Sequence, residues 1–241
     1  MSTFTPTVIV TSTTYVPGVV LASPTALTNV DANGLATSNY DDQYFVVNLP
    51  FSVSLLGVST STVYMGVNGW LGLTAPHYPS ASGYYYLQSS CTLQLPGADD
   101  NICFLPDTAY VPLWQDLYIY SGTQQGLYYQ VTGSPGSRNA SFEWYTSEFR
   151  AETQYFHFVV TLQEAAPGQA VFDYYQVSNL GQAVQYSTLQ SYNSQVGVQQ
   201  YSSSQAVVYS NNQPNVLPGL ELVYDSSTNA FTAGSANCLQ F

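Results

Sequence analysis

A chain of 241 residues with 45% hydrophobic content is long enough to bury a full core without metals or crosslinks. Only 7% of its residues are charged, 14 acids against the two bases Arg138 and Arg150 with no lysine, for a formal net charge of −12. That balance excludes nucleic-acid binding, which needs clustered cations on phosphates, disfavours anionic membrane surfaces, and removes lysine Schiff-base and isopeptide chemistry.

Residues 1–30 are rich in Ser, Thr, Val and Pro. TVIVTST and GVVLAS read as β-segments interrupted by Pro17 and Pro24, and their β-branched residues argue for an N-terminal arm that docks on a sheet. Met1-Ser2-Thr3 leads into this arm with neither a basic nor a long apolar leader, so the start reads as one left after a signal has been removed. No apolar run reaches the length of a membrane-spanning helix.

Residues 31–241 read as one domain. Strand-like runs recur at 44–51, 62–67, 70–74, 110–120, 126–131, 140–147, 154–163, 170–177, 195–199, 205–209 and 219–224. Turn signals separate them, among them Asn68-Gly69, Ser121-Gly122, the stretch 133–136 and Pro167-Gly168. The runs at 140–147 and 154–163 alternate with period two. Phe142 and Trp144 share one face with Glu143 and Tyr145 opposite, and Phe156, Phe158 and Val160 oppose Tyr155, His157 and Val159. No long segment has a helical period, although 180–192 leaves room for one short helix. The expected fold is all-β: an antiparallel two-sheet β-sandwich, jelly-roll-like or lectin-like, with little helix. Asn68-Gly69 is expected to make a type I′ hairpin turn, and Trp70, Trp114 and Trp144 to fill the space between the sheets.

Cys91 and Cys103 bracket a short loop and are expected to form a disulfide, with either pairing to Cys238 as the competitor. Asn139-Ala140-Ser141 is a glycosylation sequon at Asn139. Calcium is the expected cofactor, if any, because loop carboxylates suit a hard cation. Asp99, Asp100 and Asn101 with Asp107 are the candidate ligands; Asp31–Gly34 and Tyr40-Asp41-Asp42 are further acidic patches. Asp116 reads mainly as a hydrogen-bond acceptor for a neighbouring turn. Tyr84, Tyr85 and Tyr86 are the candidate ligand-binding surface, since three consecutive rings in a strand point to both faces and at least one meets solvent. A hydrolase would need two carboxylates across a cleft, for which Glu143 with Asp116 or with Asp173 are the available pairs. No G-x-S-x-G elbow is present.

Several segments carry a resemblance in their shared order: Tyr40–Phe45, Val47-Asn48-Leu49-Pro50-Phe51, Thr62–Leu73 with its Asn68-Gly69-Trp70, Val111-Pro112-Leu113-Trp114-Gln115-Asp116-Leu117, Gly126–Gln130, Phe142-Glu143-Trp144 and Val196–Gln199. In this order the chain resembles the NIDO-like β-sandwich domains of bacterial and fungal extracellular proteins, across about two-thirds of its length. The resemblance implies an extracellular interaction module with no catalytic centre. The departures are insertions at 75–109 and 181–194, where a sandwich carries binding specificity. The Ser/Thr-rich, lysine-free composition is similar to that of fungal wall and adhesin-like proteins. The expectation is therefore a secreted or cell-wall-attached adhesin-like module recognising a carbohydrate, a host surface or itself. A self-assembling wall domain and a carbohydrate-active hydrolase are the alternatives.

Overall fold

The computed structural model describes residues 19–77, 95–96, 105–183 and 194–235. Two antiparallel sheets pack face to face, as the period-two patterning requires. One sheet joins β12 (Gln205–Asn211), β11 (Gln195–Gln200), β5 (Thr108–Trp114), β4 (Trp70–Gly72), β3 (Val58–Gly66) and β2 (Tyr44–Leu55), in that order. The other has eight strands, in the order β1 (Thr25–Ala26), β7 (Gly126–Thr132), β8 (Asn139–Glu148), β9 (Ala151–Gln163), β10 (Gln169–Val177), β13 (Leu220–Asp225) and β14 (Ala230–Ser235). Its eighth, β6 (Leu117–Tyr118), pairs with the far end of β8. The expected runs at 44–51 and 62–67 extend to the bounds of β2 and β3, and the run at 110–120 divides into β5 and β6. The described start of the 180–192 stretch is a 3-10 turn, Ser178–Gly181.

The alternation read in the sequence is the alternation seen. Phe142, Trp144, Phe156, Phe158 and Val160 lie in the main core, where Val47, Leu49, Val63 and Met65 of the facing sheet meet them. Trp144 stacks on Phe158 with centroids 5.1 Å apart. Its indole N–H donates across the sandwich to the Gly66 carbonyl at 2.8 Å, and the Tyr174 hydroxyl donates across it to the Pro112 carbonyl at 2.6 Å. These two bonds tie the sheets together without introducing charge into the core.

Trp70 and Trp114 do not fill the space between the sheets. They lie on the outer side of the six-stranded sheet in a second cluster with Leu95, Leu105, Ala109 and Val111, bordered by Tyr44 and Tyr64. Strand parity explains the difference, because Met65 and Leu71 take the inner positions of β3 and β4 and leave Trp70 on the opposite face. Gly66 lies between the two tryptophan environments. Its carbonyl holds Trp144, and a Cβ at this position would overlap the Trp70 ring. Gly66→Ala is expected to destabilise the fold by about 3 kcal/mol, read as a lower denaturant midpoint at unchanged m-value.

The β3–β4 hairpin is also not the expected type I′ turn. Gly66 pairs with Trp70, which makes Val67-Asn68-Gly69 a three-residue loop with positive φ at Gly69 alone, at 74°. No side chain fits at Gly69, where a Cβ would overlap the Leu113 carbonyl. Prolines take positions where no ladder bond is needed. Pro112 lies beside the register shift between β5 and β11, and Pro50 lies on edge strand β2 within the gap in its pairing to β3.

Candidate functional site

The polar residues of the motif-like segments converge on one corner of the sandwich. There the chain leaves β5 in one sheet and enters β6 in the other through Gln115-Asp116. Tyr40 exchanges backbone bonds with Ile119 at 3.0 and 2.9 Å, which brings Asp41 and Asp42 against this crossover. Carboxylate oxygens of Asp41, Asp42 and Asp116 all lie within 4.8 Å of one another. Asn68, from the β3–β4 loop, is buried beside them. Its amide donates to Asp42 Oδ1 at 3.0 Å, and its Oδ1 accepts from the Leu117 N–H at 2.8 Å.

Three acids packed this closely in a partly dry corner resist ionisation. Burial pushes the Asp42 carboxyl up to about 8; Asp41 adds to this and the Asn68 amide opposes it. Burial and the neighbouring Asp41 push Asp116 up to about 7 against the pull of Arg150, and burial raises Asp41 to about 6. Near neutral pH the cluster therefore holds protons. The same oxygens have the chemistry to hold a hard cation, which would take the place of those protons.

A second buried polar group lies on the outer face of the eight-stranded sheet. Glu143 and His157 occupy the outward positions of β8 and β9 that the alternation assigned them, yet both are fully buried. His157 Nε2 is 2.6 Å from Glu143 Oε1. Glu143 also accepts the backbone N–H groups of Val20, at 2.7 Å, and Leu21, at 3.1 Å. Rings surround the pair, with Tyr145 and Tyr175 5.1 and 5.2 Å from His157. Burial pushes the Tyr128 and Tyr175 hydroxyls up to about 12, helped by nearby carboxylates that include Glu143.

Of the other candidates, Asp107 lies at the start of β5 and serves as a turn acceptor. Its Oδ1 takes the Ser202 N–H at 2.7 Å, and its Oδ2 takes the Ser202 and Thr108 hydroxyls at 3.1 Å each. Asp99, Asp100 and Asn101, the tyrosines 84–86, and Cys91, Cys103 and Cys238 fall outside the described residues. Asn139 is exposed at the first residue of β8. Asp173 shares the outer face with Glu143, but Val159 of β9 stands between them in register, and Asp116 is at the distant corner. Sequence reading noted Asp41-Asp42 and Asp116 separately and missed their meeting.

The inserted segment has a defined seat. β4 and β5 are antiparallel neighbours, yet residues 73–107 intervene between them, where a short hairpin loop would suffice. Leu95 and Leu105 return from this excursion to cover Trp70 and Trp114 on the outer side of the sheet. The Leu95 N–H donates to the Gln195 side chain at 2.9 Å.

The model of the NIDO-related family matches residues 10–237, which include both sheets and this excursion. The chain belongs to the NIDO-related family. No curated protein and no solved structure matches it. Within this NIDO-related sandwich, the family match takes in the acidic corner, the Glu143–His157 pair and the strands that carry them.

Proposed function

We propose that this NIDO-related chain is an adhesin-like binding module of an extracellular or cell-wall surface, with the 73–107 excursion as its contact element and no catalytic centre. The observation that carries the reading is the mounting of that excursion. It joins two strands that need no long connection, and its apolar anchors, Leu95 and Leu105, are fixed on a tryptophan platform outside the core. A long connection with apolar anchors on the outer side of a sheet is suited to presenting side chains. Tyr84, Tyr85 and Tyr86 belong to this segment of the sequence: flat, uncharged and able to hydrogen-bond, they suit sugar rings and protein surfaces alike. The lysine-free, acidic composition is consistent with an extracellular setting, and a disulfide between Cys91 and Cys103 would brace the same excursion. A non-catalytic role fits Glu143, whose carboxylate faces no open cleft and is occupied by His157 and two backbone amides.

The test is retention of the purified domain on insoluble polysaccharides and on plain hydrophobic surfaces, with soluble sugars measured in the supernatant. The expected result is retention that falls at least tenfold when Tyr84, Tyr85 and Tyr86 are all changed to Ser, with no sugar released. Released sugar that disappears in Glu143→Gln would establish the hydrolase instead. Retention unchanged in the triple variant would remove the excursion from the binding role.

A further inference from the structure

The Glu143–His157 pair lies on the outer face of the eight-stranded sheet, and its surroundings describe a second site. Residues 20–28 lie across the outer edge of the eight-stranded sheet and are held largely through their backbone, with Leu27 packed against the core and the Thr28 hydroxyl accepting the Leu127 N–H at 3.3 Å. The Val20 and Leu21 N–H groups go to Glu143, and the Ser23 N–H goes to the Gln130 side chain at 3.1 Å. Thr25 and Ala26 pair with Tyr129 and Tyr128, and the Leu27 N–H donates to the Leu127 carbonyl at 2.8 Å. A groove that reads backbone holds an extended segment by strand addition, with little dependence on which chain supplies it.

Glu143 offers the groove's occupant two acceptor oxygens. Without the arm, Glu143 would keep His157 and lose the two backbone N–H partners that the arm brings. An equivalent arm restores both hydrogen bonds, so an arm that leaves is readily replaced by one from another copy. A hinge for such a replacement exists. The arm joins the body through the exposed turn Asp31–Gly34, closed by the Val30–Ala36 bridge. Asp31 Oδ1 holds this turn by accepting the Asn33 and Leu35 N–H groups at 2.8 and 2.9 Å. Opening it converts a reversal into an extended link of several residues, each spanning about 3.3–3.6 Å.

We propose that the groove formed by β7, Glu143 and His157 is an assembly site that accepts residues 19–28 of a second copy of this chain, so that copies associate by exchanging N-terminal arms. Exchange recreates the arm's contacts in the groove, gives up those of the closed turn and adds the cost of association, so its extent is set by concentration and by the hinge. The exchange needs no surface ligand.

The experiment uses the full chain and a chain beginning at Asn29. A synthetic peptide of residues 19–28 is expected to bind the shortened chain, raise its melting temperature, and bind at least tenfold more weakly to its Glu143→Gln form. In the full chain, ultracentrifugation from micromolar to millimolar concentration is expected to show dimers. Asp31→Ala should raise their proportion severalfold by loosening the closed turn, and two differently labelled copies should form mixed dimers. A folded shortened chain that ignores the peptide overturns the proposal. So do full chains and Asp31→Ala chains that stay monomeric throughout. If the shortened chain does not fold, the mixed-dimer measurement alone decides. No carbohydrate or surface enters these measurements, so failure of the adhesive reading leaves their outcome unaffected.

Discussion

In buffer without divalent cations, the stability of the domain is expected to fall as pH rises from about 4 to about 8. Asp41, Asp42 and Asp116 all have folded-state values above the ordinary carboxyl value, at about 6, 8 and 7. For a group raised on folding, the folded chain binds the proton more tightly than the unfolded chain does. The associated stability is full below the ordinary value near 3.8 and is lost as pH climbs through the folded values. Asp42→Asn keeps the acceptor that Asn68 requires and removes the charge, so at pH 8 it should be more stable than the wild type by about 1–3 kcal/mol, or roughly 2–4 °C in melting temperature per kcal/mol. At pH 4 the two should be alike. Equal stability at pH 8 would mean that the corner is wetter than its burial indicates. Added calcium is the second arm of the scan. An ion held by the three carboxylates would restore wild-type stability at pH 8 and leave Asp42→Asn unmoved, whereas no effect on either would assign the corner to protons alone.

Trp144→Ala is expected to cost about 3–5 kcal/mol. The change opens a cavity beside Phe158, and it leaves the Gly66 carbonyl without its partner from the facing sheet. Trp144→Phe separates the two contributions. It keeps most of the packing and loses the hydrogen bond, so the expected cost is about 1–3 kcal/mol. Urea unfolding of both variants gives the comparison, and equal costs would mean that the hydrogen bond contributes nothing beyond shape.

The sandwich was legible in the sequence because its strands are half-buried. Alternation through 140–147 and 154–163 placed Phe142, Trp144, Phe156 and Phe158 inward correctly, since period two carries that information directly. The same alternation could not say that both faces would be covered. Glu143 reads as facing away from the core and His157 as partly buried; the path of residues 20–21, more than a hundred positions away in sequence, and the Tyr145 and Tyr175 rings complete their cover. Trp70 and Trp114 were misplaced for a related reason, because a large aromatic looks like core wherever its partners come from. β14 went unread because Ala-Phe-Thr-Ala-Gly-Ser is too small and polar to signal a strand; its pairing with β13 supplies what its composition lacks. The acidic corner was legible residue by residue and illegible as a group, since the folded chain brings together positions 41, 42, 68 and 116 that no spacing rule connects.

The strand order bears on how the molecule is made. β5 lies between β4 and β11, but β11 begins at Gln195, more than 80 residues after β5 starts at Thr108. As the polypeptide emerges from a ribosome, β5 therefore exposes an unpaired edge while all of β6 to β10 is still being synthesised. At about 5–20 residues per second, that edge stays open for several seconds. Thr-Ala-Tyr-Val-Pro-Leu-Trp carries no charge to discourage strays, and its proline is the one residue in the run that blocks a backbone bond to a passing strand. Pro112 thus withholds one backbone donor from that edge during an interval that the finished sandwich no longer shows.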